Sequence, residues 1–299
     1  MKDSDAMQLL KILHPRQNLK ALAIIAYSGA CLSNWLWSCA NLVELQFFGM
    51  KNIQCLAALE GFVSLKTLYI ASMPKLDYID YKGCSSSTNF FPSLKELIIL
   101  KCGRLRGWQR EANVQNTRNN EWHHSLPPFS HLLSLQIHDC PNLSCMPLFP
   151  NLVTYLRLTD SSIKPLADTL SVSSIGASTS HDMTPPLSML KSLYIGGIDI
   201  DALPEKWMQN LSSLKYLSIT GFSSLGKPFR HMRNLSATLK ELTIGEFQDY
   251  NLQCQDLCCL HSLQTIKFSF CEHLRASPEW ICDLQSLPTV HIVSRVRVK

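Results

Sequence analysis

The chain has 299 residues and a formal net charge of +5 at pH 7; 46% of its residues are hydrophobic and only 17% are charged. This balance excludes a disordered chain, and the length allows one or two domains with a sizeable core. The basic residues are scattered apart from clusters in Lys101–Arg110 and Arg295–Lys299, so we expect no nucleic-acid partner.

The segments nearest the N-terminus predict a cytoplasmic protein with no membrane partner. The longest apolar run, Ala21–Tyr27, is far shorter than the roughly 18 residues that a membrane span needs. The first residues are polar and include two acids, unlike a secretory signal. In a reducing compartment we expect the 12 cysteines to be thiols and not a disulfide framework.

Residues 1–18 are predicted to form a short helical segment, with one helix over Met7–Leu13 that ends before Pro15. From residue 19 onward an apolar-x-x-apolar-x-apolar pattern recurs eleven times. The copies begin at Leu19, Leu42, Leu65, Leu94, Leu132, Val153, Leu190, Leu214, Leu239, Leu263 and Leu287. Seven of the ten steps between them measure 21 to 25 residues.

This period is that of the leucine-rich repeat, about 20 to 29 residues. In each copy the second and third apolar residues are two apart, so both point into the core from one strand. Stacked copies predict an α/β repeat fold, a leucine-rich repeat solenoid or horseshoe. Its concave side is a parallel β-sheet and its convex side consists of loops and short helices. Residues 19–160 hold repeats 1–6, and residues 187–299 hold repeats 7–11.

Three long steps predict insertions on the return side of the repeats. The first lies near residues 81–91 and the second near residues 107–128. The third is a Ser/Thr-rich loop over residues 161–186, which we expect to be mobile and which could join two stacks. The first helix and the chain end after the last strand would be thin caps. We therefore expect a piece of a larger protein, a truncated product or a protein that needs a partner.

The residue three positions after the last inward residue of each strand also repeats. It begins the turn away from the sheet, and we expect it to be buried. The position holds Tyr27, Met50, Met73, Cys102, Cys140, Ile198, Phe222, Phe247 and Cys271, with breaks at Ser161 and Arg295. Cysteine is small and readily buried, so we interpret the cysteines of this position as structural.

Several segments resemble one family. They include Asn18-Leu19-Lys20 followed by Tyr27-Ser28-Gly29, Phe91-Pro92-Ser93-Leu94-Lys95-Glu96-Leu97, and Ser277-Pro278-Glu279-Trp280-Ile281. Their order over residues 8–292 is similar to the C-terminal repeat region of plant coiled-coil, nucleotide-binding, leucine-rich-repeat immune receptors, the disease resistance proteins. The resemblance implies recognition of a pathogen effector or a modified host protein, and restraint of the receptor in a defence response.

The resemblance also implies a partner, the upstream nucleotide-binding domain of the same receptor. This sequence has no G-x-x-x-x-G-K-[ST] phosphate loop. We therefore expect no cofactor, since a nucleotide would bind an upstream domain that is absent from this chain.

The sequence favours binding over catalysis. Cys254, Cys258, Cys259 and His261 cluster, but their spacing is too close for a zinc finger, so packing is favoured over metal. The adjacent pair His123–His124 is interpreted as part of a solvated loop. Neither G-x-S-x-G nor H-E-x-x-H occurs. We expect no catalytic or metal-binding residue.

The predicted binding residues point outward from the concave strands. They are Ile25, Phe48, Tyr69, Ile98, Leu100, Gln136, His138, Arg157, Tyr194, Lys267 and His291. The first four strands would expose an apolar patch, which either docks an upstream domain or binds a foreign protein. The middle strands offer polar side chains, among which Tyr and Arg are typical of binding hot spots.

One alternative function is a leucine-rich-repeat substrate adaptor of a ubiquitin ligase. Such adaptors carry an F-box-like segment before the repeats. Only 18 residues precede the first predicted strand here, so this alternative ranks below the immune receptor.

Overall fold

The computed structural model describes residues 3–13, 18–56, 59–81, 91–110, 126–171, 184–198, 204–221, 231–246, 257, 259–270 and 287–293. Two compact units divide the chain. Unit 1 comprises Met1–Leu152 and Asp160–Val172, and unit 2 comprises Val153–Thr159 and Ser173–Lys299. Both units have the predicted leucine-rich repeat fold, in which each repeat contributes one strand to a parallel sheet.

Among its described residues unit 1 contains 3₁₀ helices at Asn34–Ser38 and Leu59–Gly61, as well as two α-helices and eight strands. They are α1 (Asp3–Ile12), β1 (Ala21–Ile25), β2 (Glu44–Phe48), β3 (Cys55–Leu56), β4 (Thr67–Ala71), β5 (Tyr78–Tyr81), β6 (Glu96–Leu100), β7 (Gly107–Arg110), β8 (Ser134–Cys140) and α2 (Lys164–Ser171). Strands β1, β2, β4, β6 and β8 form one parallel sheet in chain order.

The inward positions of this sheet form the core, as the repeat pattern predicts. Leu45, Phe47, Leu68 and Ile70 are fully buried, and the corresponding residues of β6 and β8 are buried as well. Parallel register stacks each inward residue on the equivalent residue of the next strand. Hydrophobic burial of these rows stabilises the stack, because each CH₂ removed from water contributes about 0.8 kcal/mol.

The return side of unit 1 differs from the prediction. In place of loops and short helices alone, β3, β5 and β7 form a second parallel sheet. Leu56, Ile79 and Trp108 are in register across it and are all buried. The predicted insertion over 107–128 therefore begins with strand β7, and the one near 81–91 begins with the last residue of β5. These strands escaped prediction because they are too short to show an alternating pattern.

Unit 2 is built from the later repeats. Its elements are β9 (Tyr155–Ser161, of which residues up to Thr159 belong to this unit), β10 (Ser192–Gly196), α3 (Glu205–Asn210), β11 (Tyr216–Thr220), β12 (Glu241–Gly245), β13 (Thr265–Ser269) and β14 (Thr289–Val293). They pair in chain order from β9 to β14, again in parallel.

The last strand contradicts one prediction. Val290 and Ile292 were expected to be core residues, but they are 40% and 58% exposed. In the described part of unit 2, β14 has a pairing strand on one side only, β13. Its inward side chains are therefore only partly covered by the described residues.

The Ser/Thr-rich segment and the first helix also differ from expectation. The predicted loop over 161–186 contains helix α2, whose Leu166 and Leu170 are buried. The side-chain oxygen of Thr169 accepts a hydrogen bond from the Phe149 amide at 3.4 Å. The remainder of that segment, from 172 to 183, lies outside the described residues. Helix α1 begins at Asp3 and ends at Ile12, one residue before the predicted end.

The turn position after each strand is buried as predicted wherever the structure describes it. Tyr27, Met50, Met73, Cys102, Cys140 and Ile198 are all buried, whereas Phe222, Phe247, Cys271 and Arg295 lie outside the described residues. Ser161, expected as a break, is also buried. Its hydroxyl accepts a hydrogen bond from the Cys140 amide at 3.0 Å, which satisfies a buried donor.

Cys140 is a structural thiol. A hydrogen bond to the Cys102 thiol, together with burial, raises the pKa of Cys140 well above its usual range. A thiol held in its neutral form packs as a small hydrophobic side chain and is a poor nucleophile. Its buried position agrees with the structural interpretation of these cysteines.

Each strand of the main sheets ends in the same left-handed turn. The residue that follows the fifth strand position has φ between +50° and +70° in every described repeat from β1 to β13. Only Gly49, Gly197 and Gly221 are glycines at this position. The amide of the turn residue donates to a carbonyl of the next strand in eight of these turns, as from Ala26 to Phe48 at 2.8 Å. Stacking therefore holds a conformation that side chains other than glycine disfavour.

Candidate functional site

The outward face of unit 1 collects the first seven predicted binding residues. Register places Tyr69 and Ile98 in one row with Gln136, and places Ile25, Phe48, Ala71, Leu100 and His138 in the next. We call Ile25, Phe48, Tyr69, Ile98, Leu100, Gln136 and His138 the unit 1 face.

One end of the unit 1 face is apolar. Ile25 is 63% exposed and Phe48 is 43% exposed, while Tyr69, Ile98 and Leu100 are half-buried. The sequence analysis predicted this patch from alternation along the strands, and the structure places its members on adjacent strands. The arrangement is a shallow apolar surface that suits contact with another macromolecule.

The other end of the unit 1 face is polar. His138 and Gln136 are half-buried on β8. The Nδ1 atom of His138 lies 3.5 Å from the Asp160 carboxylate. A polar pair also lies within the apolar end, since on β2, the strand of Phe48, the Gln46 amide donates to Glu44 Oε1 at 2.5 Å. These side chains provide hydrogen-bonding groups beside the apolar end.

The outward face of unit 2 holds the other four predicted residues. Arg157, Tyr194, Lys267 and His291 occupy one row of the sheet, with Ser218 and Thr243 between Tyr194 and Lys267. We call these six residues the unit 2 face. The row is polar throughout, in contrast to the unit 1 face.

Two contacts organise the unit 2 face. The Arg157 guanidinium carbon lies 4.6 Å from the centroid of the Tyr194 ring, a cation–π arrangement. The Lys267 ammonium lies 2.6 Å from Glu241 Oε1. The first contact brings together two residues that the sequence selected separately. His291 is exposed on β14 and joins neither contact.

Sequence reasoning missed the first outward position of each strand. Among the residues at this position are Glu44 and Glu96 in unit 1 and Tyr155, Tyr216 and Glu241 in unit 2. The position is one residue before the first inward strand residue, so the repeat pattern alone could have identified it. These residues widen both faces toward the amino ends of the strands.

Unit 1 also has two concave regions, the first of which adjoins its outward face at Ile25. An apolar groove of about 470 Å³ lies between α1 and β1, lined among others by Leu10, Leu22 and Trp35. The Trp35 indole N–H donates to the Leu10 carbonyl at 2.5 Å, which ties α1 to the first repeat. A second groove, of about 500 Å³, is lined on the return side by Cys31, Cys55 and Asp80 among others.

The part of the chain that the structure describes contains no group of three or more His, Cys, Asp or Glu residues able to hold a metal ion. Cys254, Cys258, His123 and His124 lie outside that part. Seven of the described cysteines are free thiols, namely Cys31, Cys39, Cys55, Cys102, Cys140, Cys145 and Cys259. None of the described helices is long and apolar enough to cross a membrane.

Comparison with known proteins identifies similar sequences. A family model described as R13L1/DRL21 LRRs matches residues 1–73. The putative disease resistance protein RGA1 of Solanum bulbocastanum is 26% identical over 75% of this chain and 20% of its own length. Disease resistance protein RGA2 and putative disease resistance protein RGA4 of the same plant are 23% and 26% identical over 75% and 71% of this chain. The chain thus spans about a fifth of the length of these curated relatives.

Solved structures are more distant. An internalin of Listeria monocytogenes is 18% identical, with a TM-score of 0.37 over 99% of this chain and 90% of its own. The structure of a TLR13–ssRNA13 complex is 16% identical, with a TM-score of 0.42 over 93% of this chain and 44% of the other. The repeating parallel strands and the sequence comparisons lead to one identification. The chain is a leucine-rich repeat protein similar in sequence to part of the plant disease resistance proteins.

Proposed function

We propose that the chain is a protein-recognition module of a cytoplasmic plant immune receptor. It would sense a pathogen effector, or a host protein that an effector has modified, and restrain the receptor until that ligand is present. The similarity to three disease resistance proteins supports the defence role. Two unlike outward faces support two separate tasks for one chain.

The single observation that carries the proposal is the apolar end of the unit 1 face. Ile25 and Phe48 are exposed, and half-buried Ile98 and Leu100 lie on a strand of the same sheet. Contiguous exposed apolar surface marks an interaction site in a protein that is not aggregating. In this proposal the unit 1 face docks on the upstream nucleotide-binding domain of the receptor.

The unit 2 face is the proposed ligand-binding surface. Its row of Arg, Tyr, Ser, Thr and Lys side chains offers donors and acceptors with specific geometry. Tyr and Arg are enriched among residues that contribute most to protein binding. A ligand bound here relieves restraint only if it binds the undocked receptor more tightly than the docked one.

In this proposal the chain acts by binding and not by catalysis. A nucleotide would bind the upstream domain, and no cofactor is assigned to this chain. The outward faces are shallow sheets of short strands, which suit a broad protein contact better than a small substrate.

The docking proposal is tested with the purified 299-residue chain and a purified nucleotide-binding domain from such a receptor. Isothermal titration calorimetry measures the dissociation constant. We expect Phe48→Glu combined with Leu100→Glu to weaken binding at least about tenfold, equivalent to 1.4 kcal/mol. The cause is the cost of placing two carboxylates in an apolar contact.

The matched control is Ser218→Glu combined with Thr243→Glu, which adds the same charge on outward strand positions of unit 2. Circular dichroism melts check that both variants fold. Absence of binding by the unmodified chain overturns the docking proposal. Equal weakening by both double variants does so too, since it would show a general charge effect.

A further inference from the structure

Three exposed lysines form a ladder along one edge of the unit 2 sheet. Lys191, Lys215 and Lys240 each immediately precede a strand, β10, β11 and β12 respectively. The Lys215 amide donates to the Lys191 carbonyl at 2.9 Å, and the Lys240 amide donates to the Lys215 carbonyl at 2.8 Å. The three residues are therefore direct neighbours across the sheet. We call them the lysine ladder.

The lysine ladder concentrates positive charge. Neighbouring strands lie about 4.8 Å apart, and like charges directly opposite one another on a sheet are destabilising. The first outward row beside the ladder offers one carboxylate, Glu241, among the residues described in β9 to β14. Its Oε1 atom already binds the Lys267 ammonium at 2.6 Å. The ladder thus carries more positive charge than the first outward row of the sheet neutralises.

Unit 1 shows that the leucine-rich repeat fold does not require this surplus of positive charge. The same position holds Lys20, Val43, Lys66 and Lys95 in β1, β2, β4 and β6, so an uncharged residue interrupts the lysines. The first strand position beside them holds Glu44 and Glu96. In unit 2 the lysines are uninterrupted from β10 to β12. The same position before β9, β13 and β14 is uncharged and holds Thr154, Gln264 and Pro288.

Arg157 extends the positive surface onto the unit 2 face. The side chain is exposed and its guanidinium lies over the Tyr194 ring, which restricts its motion. In the described part of the chain no carboxylate lies within ion-pair distance of Arg157. A guanidinium that stacks on an aromatic ring through its flat side leaves the N–H groups at its edge available. These groups can bind a carboxylate through two hydrogen bonds.

We propose that the lysine ladder and Arg157 together bind an acidic segment of a partner protein. This inference rests on the proposed function, because it specifies the chemical class of the protein ligand that the unit 2 face is proposed to bind. Lysines along the edge would attract the segment electrostatically, and Arg157 would bind one carboxylate in a fixed geometry.

The surroundings favour a polypeptide over a nucleic acid. Tyr194, Tyr216, Ser218 and Thr243 present hydroxyl groups beside the positive charges, and these can bind peptide carbonyls as well as carboxylates. Tyrosine and arginine together are also typical of protein–protein hot spots.

The experiment uses the full 299-residue chain and fluorescein-labelled poly-L-glutamate as the probe, with fluorescence polarisation as the readout. The test variant is Lys191→Gln, Lys215→Gln and Lys240→Gln combined. The matched control is Lys20→Gln, Lys66→Gln and Lys95→Gln combined, which removes the same charge from unit 1. We expect at least about a tenfold loss of affinity in the test variant and less than about a threefold loss in the control.

A second variant examines geometry separately from charge. Arg157→Lys keeps the charge but loses the bidentate edge, so we expect a loss of about threefold or more in affinity for the probe. All substitutions lie at exposed positions, and circular dichroism confirms folding. Unchanged affinity in Arg157→Lys would remove Arg157 from the site.

Three results overturn the proposal. The first is no binding of poly-L-glutamate at moderate ionic strength. The second is equal loss in the unit 1 and unit 2 variants. The third is tighter binding of labelled poly(dT) than of poly-L-glutamate, lost in the ladder variant, which would assign the surface to nucleic acid. Docking through the unit 1 face is measured with a different partner and different variants, so either proposal can fail without the other.

Discussion

In unit 1 the last outward position of successive strands holds Ile25, Phe48 and, two strands later, Leu100, whereas in unit 2 it holds Thr159, Gly196 and Thr220. The inward positions of the two units carry the same kinds of residue, mainly leucine and isoleucine. Packing therefore constrains one side of each strand and leaves the other side free to differ. Two surfaces with different chemistry follow from a single repeat.

The return sides of the two units also differ. The return segments of unit 1 contain the second sheet of β3, β5 and β7, together with helix α2 and 3₁₀ helices at Asn34–Ser38 and Leu59–Gly61. The described return segments of unit 2 contain helix α3 and a short 3₁₀ helix at Met232–Leu235. Each repeat contacts mainly its neighbours, so the return segments of neighbouring repeats must pack against one another. In unit 1 three of them do so by pairing as β3, β5 and β7.

The largest expected effect tests whether the inward positions are equivalent. We expect Leu68→Ala in unit 1 and Leu217→Ala in unit 2 each to lower the free energy of unfolding by about 2–5 kcal/mol, because both side chains are buried. Ile292→Ala, on the 58% exposed residue of β14, should cost less than about 1 kcal/mol. Urea unfolding followed by circular dichroism measures all three. A cost below about 1 kcal/mol for either leucine variant would break the equivalence.

An intermediate effect tests the second sheet of unit 1. Gly107 has φ of +135°, and a Cβ there would overlap the Cys145 carbonyl. We expect Gly107→Ala to lower the free energy of unfolding by more than about 1 kcal/mol. Gly103→Ala is the control, since no atom lies within 4 Å of a Cβ at that position. Equal stability of the two variants in thermal melts would show that the second sheet contributes little.

The smallest expected effect concerns the surface ion pairs of both units. Arg104 binds Asp77 through two hydrogen bonds of 3.0 and 3.1 Å, and Lys267 binds Glu241 at 2.6 Å. Exposed pairs contribute about 0–1 kcal/mol. We therefore expect Arg104→Ala and Lys267→Ala each to change the free energy of unfolding by less than about 1 kcal/mol. A larger loss in either, measured by urea unfolding, would mean that the pair organises its unit.

The main sheet could be predicted from the sequence because its signal repeats. Leu68 and Ile70, for example, are two residues apart in a pattern that recurs in every repeat, so chance matches are averaged out. The same periodicity selected the outward residues Phe48 and Arg157. Alternation along a strand fixes which side a residue faces, and register fixes its neighbours.

The rest could not be predicted because it depends on single contacts. Strand β3 is only two residues long, and it forms because Leu56 packs in register beside Ile79. The stacking of Arg157 on Tyr194 joins residues 37 positions apart on either side of a long insertion. The lysine ladder was hidden for a similar reason, since its members are 24 and 25 residues apart in sequence and appear scattered until the strands pair.

The left-handed turn at the end of each strand bears on how such a chain can change over generations. Ala26, Ser72, Lys101 and Phe270 all adopt this turn, although none is glycine. The amide of each of these four residues donates to a carbonyl of the following repeat. The connection between repeats is therefore made by backbone atoms and tolerates different side chains at the turn. Unequal recombination could therefore duplicate, delete or exchange whole repeats without having to restore a matching turn residue at the new junction.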